Sequence, residues 1–278
     1  MNPAAVLRTL ALTALLLAVS MVTEVVGLVV APTGIYLTDA DPSGVVRLYN
    51  SGTEPTEVSV EAVFGYPTTD EDGQVRLDLQ PEGDPRSAAD WLQILPRRLV
   101  VPPGERRAVR VLARPPEGLP EGEYWTRLVV TSQGQKLPVA GADTTTVKVG
   151  LSLRVRTIIA LSYRRGQVDT GIEVGQFAPQ IQGDSLVVWP ELRRQGNGAY
   201  IGRMQLELLD RDNAVVRSWD SQVAVYETYH RRYAYDVSDL PTGVYRLALR
   251  LDTEREDIAR SERLATVPVE LDAPVFVQ

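Results

Sequence analysis

A chain of 278 residues with a formal charge of −7 and no cysteine is longer than one β-sandwich of about 100 residues requires, so two domains are expected. Its acidic balance and scattered arginines argue against a nucleic-acid partner, which needs clustered Lys and Arg on one face. Without cysteine there is neither a disulfide framework nor a thiolate site.

Arg8 precedes an apolar run, Leu10 to Val19, of about ten residues, too short for a stable bilayer anchor. Small residues follow at Ala18 and Ser20, with a second cleavage signal at Val25 and Gly27. Residues 1–27 therefore read as a secretory signal peptide, which puts the rest of the chain outside the cytoplasm with no stable membrane insertion after cleavage. The apolar residues between Val22 and Val30 leave an uncleaved N-terminal anchor as the alternative.

From there the chain reads as all-β, in short alternating blocks of Val, Leu, Thr and Tyr punctuated by Gly and Pro. Alternation at Ile35 and Leu37, at Val46 and Leu48, and at Val58, Val60, Ala62 and Phe64 predicts three strands separated by turns at Asp39 to Gly44 and Asn50 to Pro55. Thr68 to Asp90 reads as a polar insertion forming an exposed hairpin or loop. Pro102-Pro103-Gly104 is a tight turn between strands at Leu99 to Val101 and Ala108 to Leu112. Glu123 to Thr131 is a further strand anchored by Trp125, Leu128 and Val130, and Ser132 to Thr145 has no strong pattern.

Then comes the stretch Thr146 to Tyr163. Val147, Val149, Leu151, Leu153 and Val155, then Ile159, Leu161 and Tyr163, hold odd positions, with Lys148, Ser152, Arg154 and Arg156 on even ones, which is strand periodicity. At about 3.3 Å per residue it would span ~55–60 Å, against ~17–20 Å for an ordinary strand. Such a segment overhangs its own sheet or crosses between domains. An overhanging strand with an apolar face is a device for pairing with another polypeptide; the alternative is that the same side chains pack into this chain's own core.

The order RLYN, LPRRLVVPPGERRAVRV, LPEGEYWTRLVV and a long alternating strand ending in SYRRG resembles the periplasmic chaperones of the chaperone/usher pilus pathway. The resemblance implies two immunoglobulin-like β-sandwich domains in tandem, 28–164 and 165–278. It also implies that the long strand, with Val147, Val149, Leu151, Leu153 and Val155, completes the fold of a secreted pilus-like subunit destined for an outer-membrane usher. In that family two basic residues in the cleft between domains hold the subunit's C-terminal carboxylate. The matching positions here are Ala160 and Gly34, neither basic, and Arg156 and Arg164 are the candidates for a displaced guanidinium.

In the second half, strands are expected around Ile172 and Val174, Leu186 to Leu192, Tyr200 to Leu209, Val215 to Trp219, Tyr245 to Leu251 and Thr266 to Leu271, with turns at Gln195 to Gly198 and Asp210 to Asn213. LPTGVYRLAL here is similar to LPEGEYWTRLVV in the first half, through a shared fold or a shared strand-turn device. No catalytic constellation is read. His230 is a lone histidine between tyrosines and arginines, and Asp70, Glu71 and Asp72 lack the later glutamate of a calcium loop. Tyr226, Tyr229, Tyr233 and Tyr235 suit strand packing. The sequence thus points to an exported, non-enzymatic periplasmic chaperone with no cofactor or metal. An extracytoplasmic structural or adhesion sandwich is the alternative, followed by an accessory module of a polysaccharide-active enzyme.

Overall fold

The computed structural model describes residues 27–79, 85–138 and 150–277. Val147, Val149 and the apolar N-terminal run lie outside the described residues, and Leu151 is placed by its backbone alone. The first sandwich contains β1 (Leu28–Ala31), β2 (Gly34–Thr38), β3 (Ser43–Asn50), β4 (Thr56–Val63), β5 (Gly65–Thr69), β6 (Val75–Leu79), β7 (Leu92–Leu95), β8 (Arg98–Val101), β9 (Arg106–Ala113), β10 (Gly122–Pro138) and β11 (Gly150–Arg165). One sheet runs in the order β1-β3-β9-β7 and faces a second in the order β2-β11-β10-β4-β8. The alternation read from the sequence is what fills the space between them: Leu37, Val46, Val109, Leu128 and Leu161 are fully enclosed. Asn50 ties the turns together at one end, its amide donating to the carbonyls of Glu54 and Val101. Gly104 beside it adopts φ 69°, which a side chain would resist.

The second sandwich contains β12 (Thr170–Val174), β13 (Gln180–Gln182), β14 (Ser185–Val188), β15 (Leu192–Gly196), β16 (Tyr200–Leu209), β17 (Val215–Val225), β18 (Thr228–Tyr229), β19 (Tyr233–Asp236), β20 (Gly243–Asp252) and β21 (Val269–Val277). A sheet in the order β17-β16-β20-β21 packs against the short sheets β12-β15-β18 and β13-β14-β19, with Leu186, Met204, Leu206 and Leu247 at its centre. The paired LPEGEY and LPTGVY motifs are one device used twice. Tyr124 donates its hydroxyl to the Pro120 carbonyl and Tyr245 to the Pro241 carbonyl, each at 2.9 Å, a tyrosine latch across the corner that opens a strand.

Three expectations need correction. Ser132 to Pro138 is not patternless loop but the continuation of β10, held by pairing with β11. The closing strand runs over Val269–Val277, because Val269, Leu271, Ala273, Val275 and Val277 keep one inward parity through Asp272 and Pro274. The polar insertion contributes to a hairpin, β5–β6, as one of the two expected forms, but it is not simply exposed, because its tip docks on the second sandwich.

Candidate functional site

The β10–β11 hairpin pairs from Gly122↔Arg165 to Pro138↔Gly150, with a register shift between Gln133 and Lys136. Its support thins along the way. On one side β4 accompanies β10 only as far as Gln133, and on the other β2 accompanies β11 only from Ala160 to Arg164. The outer edge of β11 from Gly150 to Ile159, about 30 Å long, has no strand partner among the described residues. The Ala160 amide donates to the Thr33 carbonyl on that side. The amides sharing its parity, Ile158, Arg156 and Arg154, therefore point out of the open edge.

Burial follows the same division. Ile159, Leu161 and Tyr163 are at most 1% exposed, whereas on the same face Leu153 is 53% and Val155 46% exposed. No bend interrupts the strand between these halves. Val155 lies in one cross-strand row with the buried Ser132 and Val58 yet is itself exposed at the unpartnered edge, and the expected alternative, burial against Trp125 and Val130, is not what the fold produces for Leu153 and Val155.

The open edge leads into a cleft between the sandwiches. Phe64, Trp125, Ala199 and Tyr226 make a buried cluster there, because Trp125 and Arg127 lie on the face of β10 opposite Tyr124, Leu128 and Val130. Trp125 is thus an anchor between domains, and Tyr226 meets it edge-on at 4.8 Å. Glu123 is the polar hub. Its carboxylate accepts hydrogen bonds from Arg164 Nε at 2.9 Å, Trp125 Nε1 at 2.9 Å and the Ala199 amide at 2.8 Å. Arg164 also donates to the Glu262 carbonyl at 2.5 Å and lies over the Tyr36 ring. Burial pushes the Tyr36 hydroxyl up to about 12.

A cavity of about 630 Å3 opens beside this hub, with Gly34, Ala160 and Arg127 among its lining residues. Gly34 and Ala160 are register partners, and Arg127 is the partner of Ala160 on the other side. Arg127 is 4% exposed and stacks on Tyr226 at 5.0 Å, yet it makes no ion pair among the described residues. The two arginines marked by the sequence are placed elsewhere. Arg164 is committed to Glu123, and Arg156 is exposed, 3.6 Å from Glu61; neither lines the cavity. Arg127 was missed because, along β10, it reads as one more solvated strand arginine. The tyrosines pack as expected, Tyr229 and Tyr233 in the second core and Tyr226 at the domain junction. His230 stacks on Trp189.

No protein-family model matches the sequence, and no curated protein does. Solved structures to which the chain is similar include the class 5 fimbriae chaperone CfaA, at 12% identity and TM-score 0.44 over 91% of this chain and 100% of that one. Another is the Pseudomonas aeruginosa CupB2 chaperone, at 12% identity and TM-score 0.44 over 89% of this chain and 100% of that one. A third, the Salmonella enterica SafA pilin in complex with the SafB chaperone, matches at 9% identity and TM-score 0.44 over 89% of this chain and 97% of that one.

Proposed function

We propose that the chain is an exported, non-enzymatic chaperone that holds a pilus-like subunit by adding β11 to the subunit's incomplete sheet. The single observation that carries this is the open edge of β11 with Leu153 and Val155 exposed on the face that further along fills the chain's own core. A subunit missing one strand exposes a groove of apolar pockets and two unpaired sheet edges, both of which promote aggregation. A strand laid in the groove satisfies the edges and fills the pockets together. Burying Leu153 and Val155 contributes about 1.5–3 kcal/mol each before ordering costs.

In this reading the cleft cavity takes the subunit's terminal carboxylate. A guanidinium this enclosed is unfavourable without an anion, and Arg127 has an aromatic face beside it and no ion pair among the described residues, so Arg127 fills the role that Arg156 and Arg164 were expected to share. The signal over residues 1–27 delivers the chain to the periplasm, where an outer-membrane usher receives the loaded complex. Co-expression with exported pilus-like subunits tests the proposal. Leu153→Arg with Val155→Arg is expected to abolish capture without unfolding the chain, and unchanged capture by the double variant would leave the structural or adhesion module as the better reading.

A further inference from the structure

The inserted hairpin β5–β6 is a sheet of its own. A lone two-stranded hairpin is marginal in water, so its position is set by what it docks on. At its base Tyr66 stacks on Tyr226 at 5.5 Å and meets Trp125 edge-on at 5.9 Å. At its tip the His230 amide donates to Thr69 Oγ1 at 2.9 Å and the Arg232 amide to the Gly73 carbonyl at 3.1 Å. Gly73 has φ 73°, and a Cβ there would stand 2.6 Å from the Arg232 nitrogen. The hairpin therefore leans across from the first sandwich and is pinned to the second at a contact too close for a side chain.

That posture gives the cleft cavity an apolar wall. Pro67 and Leu77 are register partners on β5 and β6, and both line the cavity, with Leu77 left 38% exposed. Ile258 and Ala259 line it from the second sandwich, and Arg127 lies among them. Arg255, also in the lining, is already held by Asp257 at 2.5 Å; Glu262 lines the cavity as well, and Arg127 is the lining arginine that makes no ion pair among the described residues. The cavity is continuous with the open edge of β11 through Ile158, Ala160 and Ser162. An occupant must be extended, end in an anion and carry an apolar group next to it.

We propose that the β5–β6 hairpin is a specificity wall: Leu77 and Pro67 select a polypeptide C-terminus whose last side chain is large and apolar. This rests on the assignment of the cleft to a terminal carboxylate. Its test uses the whole chain and three acetylated hexapeptides of alternating Val and Thr that end in Phe, in Ala, or in Phe amide, titrated by isothermal calorimetry. The Phe acid is expected to bind about tenfold or more tighter than the Ala acid and tighter than the Phe amide. Leu77→Ala is expected to remove the Phe advantage while leaving the preference for a free acid, and Arg127→Leu to do the reverse. Equal binding of the Phe and Ala acids, an advantage that survives Leu77→Ala, or no saturable binding of any peptide would overturn the specificity wall. Equal binding of the Phe acid and amide would instead remove the carboxylate assignment beneath it, and subunit capture by the Leu153→Arg, Val155→Arg variant judges strand donation separately.

Discussion

The two halves of β11 carry the same pattern and lead opposite lives. Ile159, Leu161 and Tyr163 are sealed in the first core, while Leu153 and Val155, on the same face of the same unbroken strand, stand in solvent. The difference is not in the residues but in what lies beside them: β2 accompanies only Ala160 to Arg164, so that Val155 is exposed at the edge although Ser132 and Val58, in its cross-strand row, are buried. Apolar alternation states that a strand has an inside, and the end of the neighbouring strands decides whose inside it is.

The sharpest break between the halves is in stability. Leu161→Ala should destabilise the first sandwich by about 2–5 kcal/mol, lowering its urea midpoint, whereas Leu153→Ala and Val155→Ala should each stay within about 0.5 kcal/mol of the parent yet weaken subunit capture. Next in size is the hub that holds the cleft against the buried half. Glu123→Leu leaves Arg164, the Trp125 indole and the Ala199 amide without their acceptor, and a loss of about 3 kcal/mol is expected, with a larger radius of gyration in solution scattering as the sandwiches separate.

Arg127→Leu should do the opposite of a core change. Removing an enclosed charge that makes no ion pair among the described residues leaves stability equal or raises it by about 1 kcal/mol, while capture falls by roughly tenfold; thermal unfolding and pull-down read the two effects. The smallest expected effect is at the hairpin tip. The Asp70 carboxylate accepts hydrogen bonds from the Gln74 and Asp72 amides and faces Arg76 at 2.6 Å, and the Gln74 bond foremost holds it below the usual carboxylate range. A lowered folded value means that its contribution is present above the unfolded value and lost as pH falls through the folded one. The Asp72 and Gln74 amides should accordingly lose exchange protection, relative to the β3 amides, below about pH 4.

Much of this was readable from the chain. β11 could be found because its parity never slips, and Gly34 and Ala160, matched by motif, prove to be register partners facing one another. The far end of β10 could not, since Ser132 to Pro138 has no apolar rhythm and is a strand only because β11 runs beside it. Arg127 was hidden for a different reason: the face of β10 that carries it is covered by Tyr226 from the other sandwich, and coverage by a distant segment leaves no periodic trace. The hairpin's docking was equally silent, because it uses the backbone of Gly73 and Arg232, groups that every residue possesses.

Amide hydrogen exchange along β11, residue by residue, tests strand donation most directly. In the free chain the outward amides of Arg154, Arg156 and Ile158 should exchange rapidly while those of Ile159 and Leu161, paired with β10, stay protected. On adding a captured subunit the first three should become protected and the others remain as they were. Protection of Arg154, Arg156 and Ile158 already in the free chain, or no gain when a subunit is held, would contradict a strand that waits to be shared.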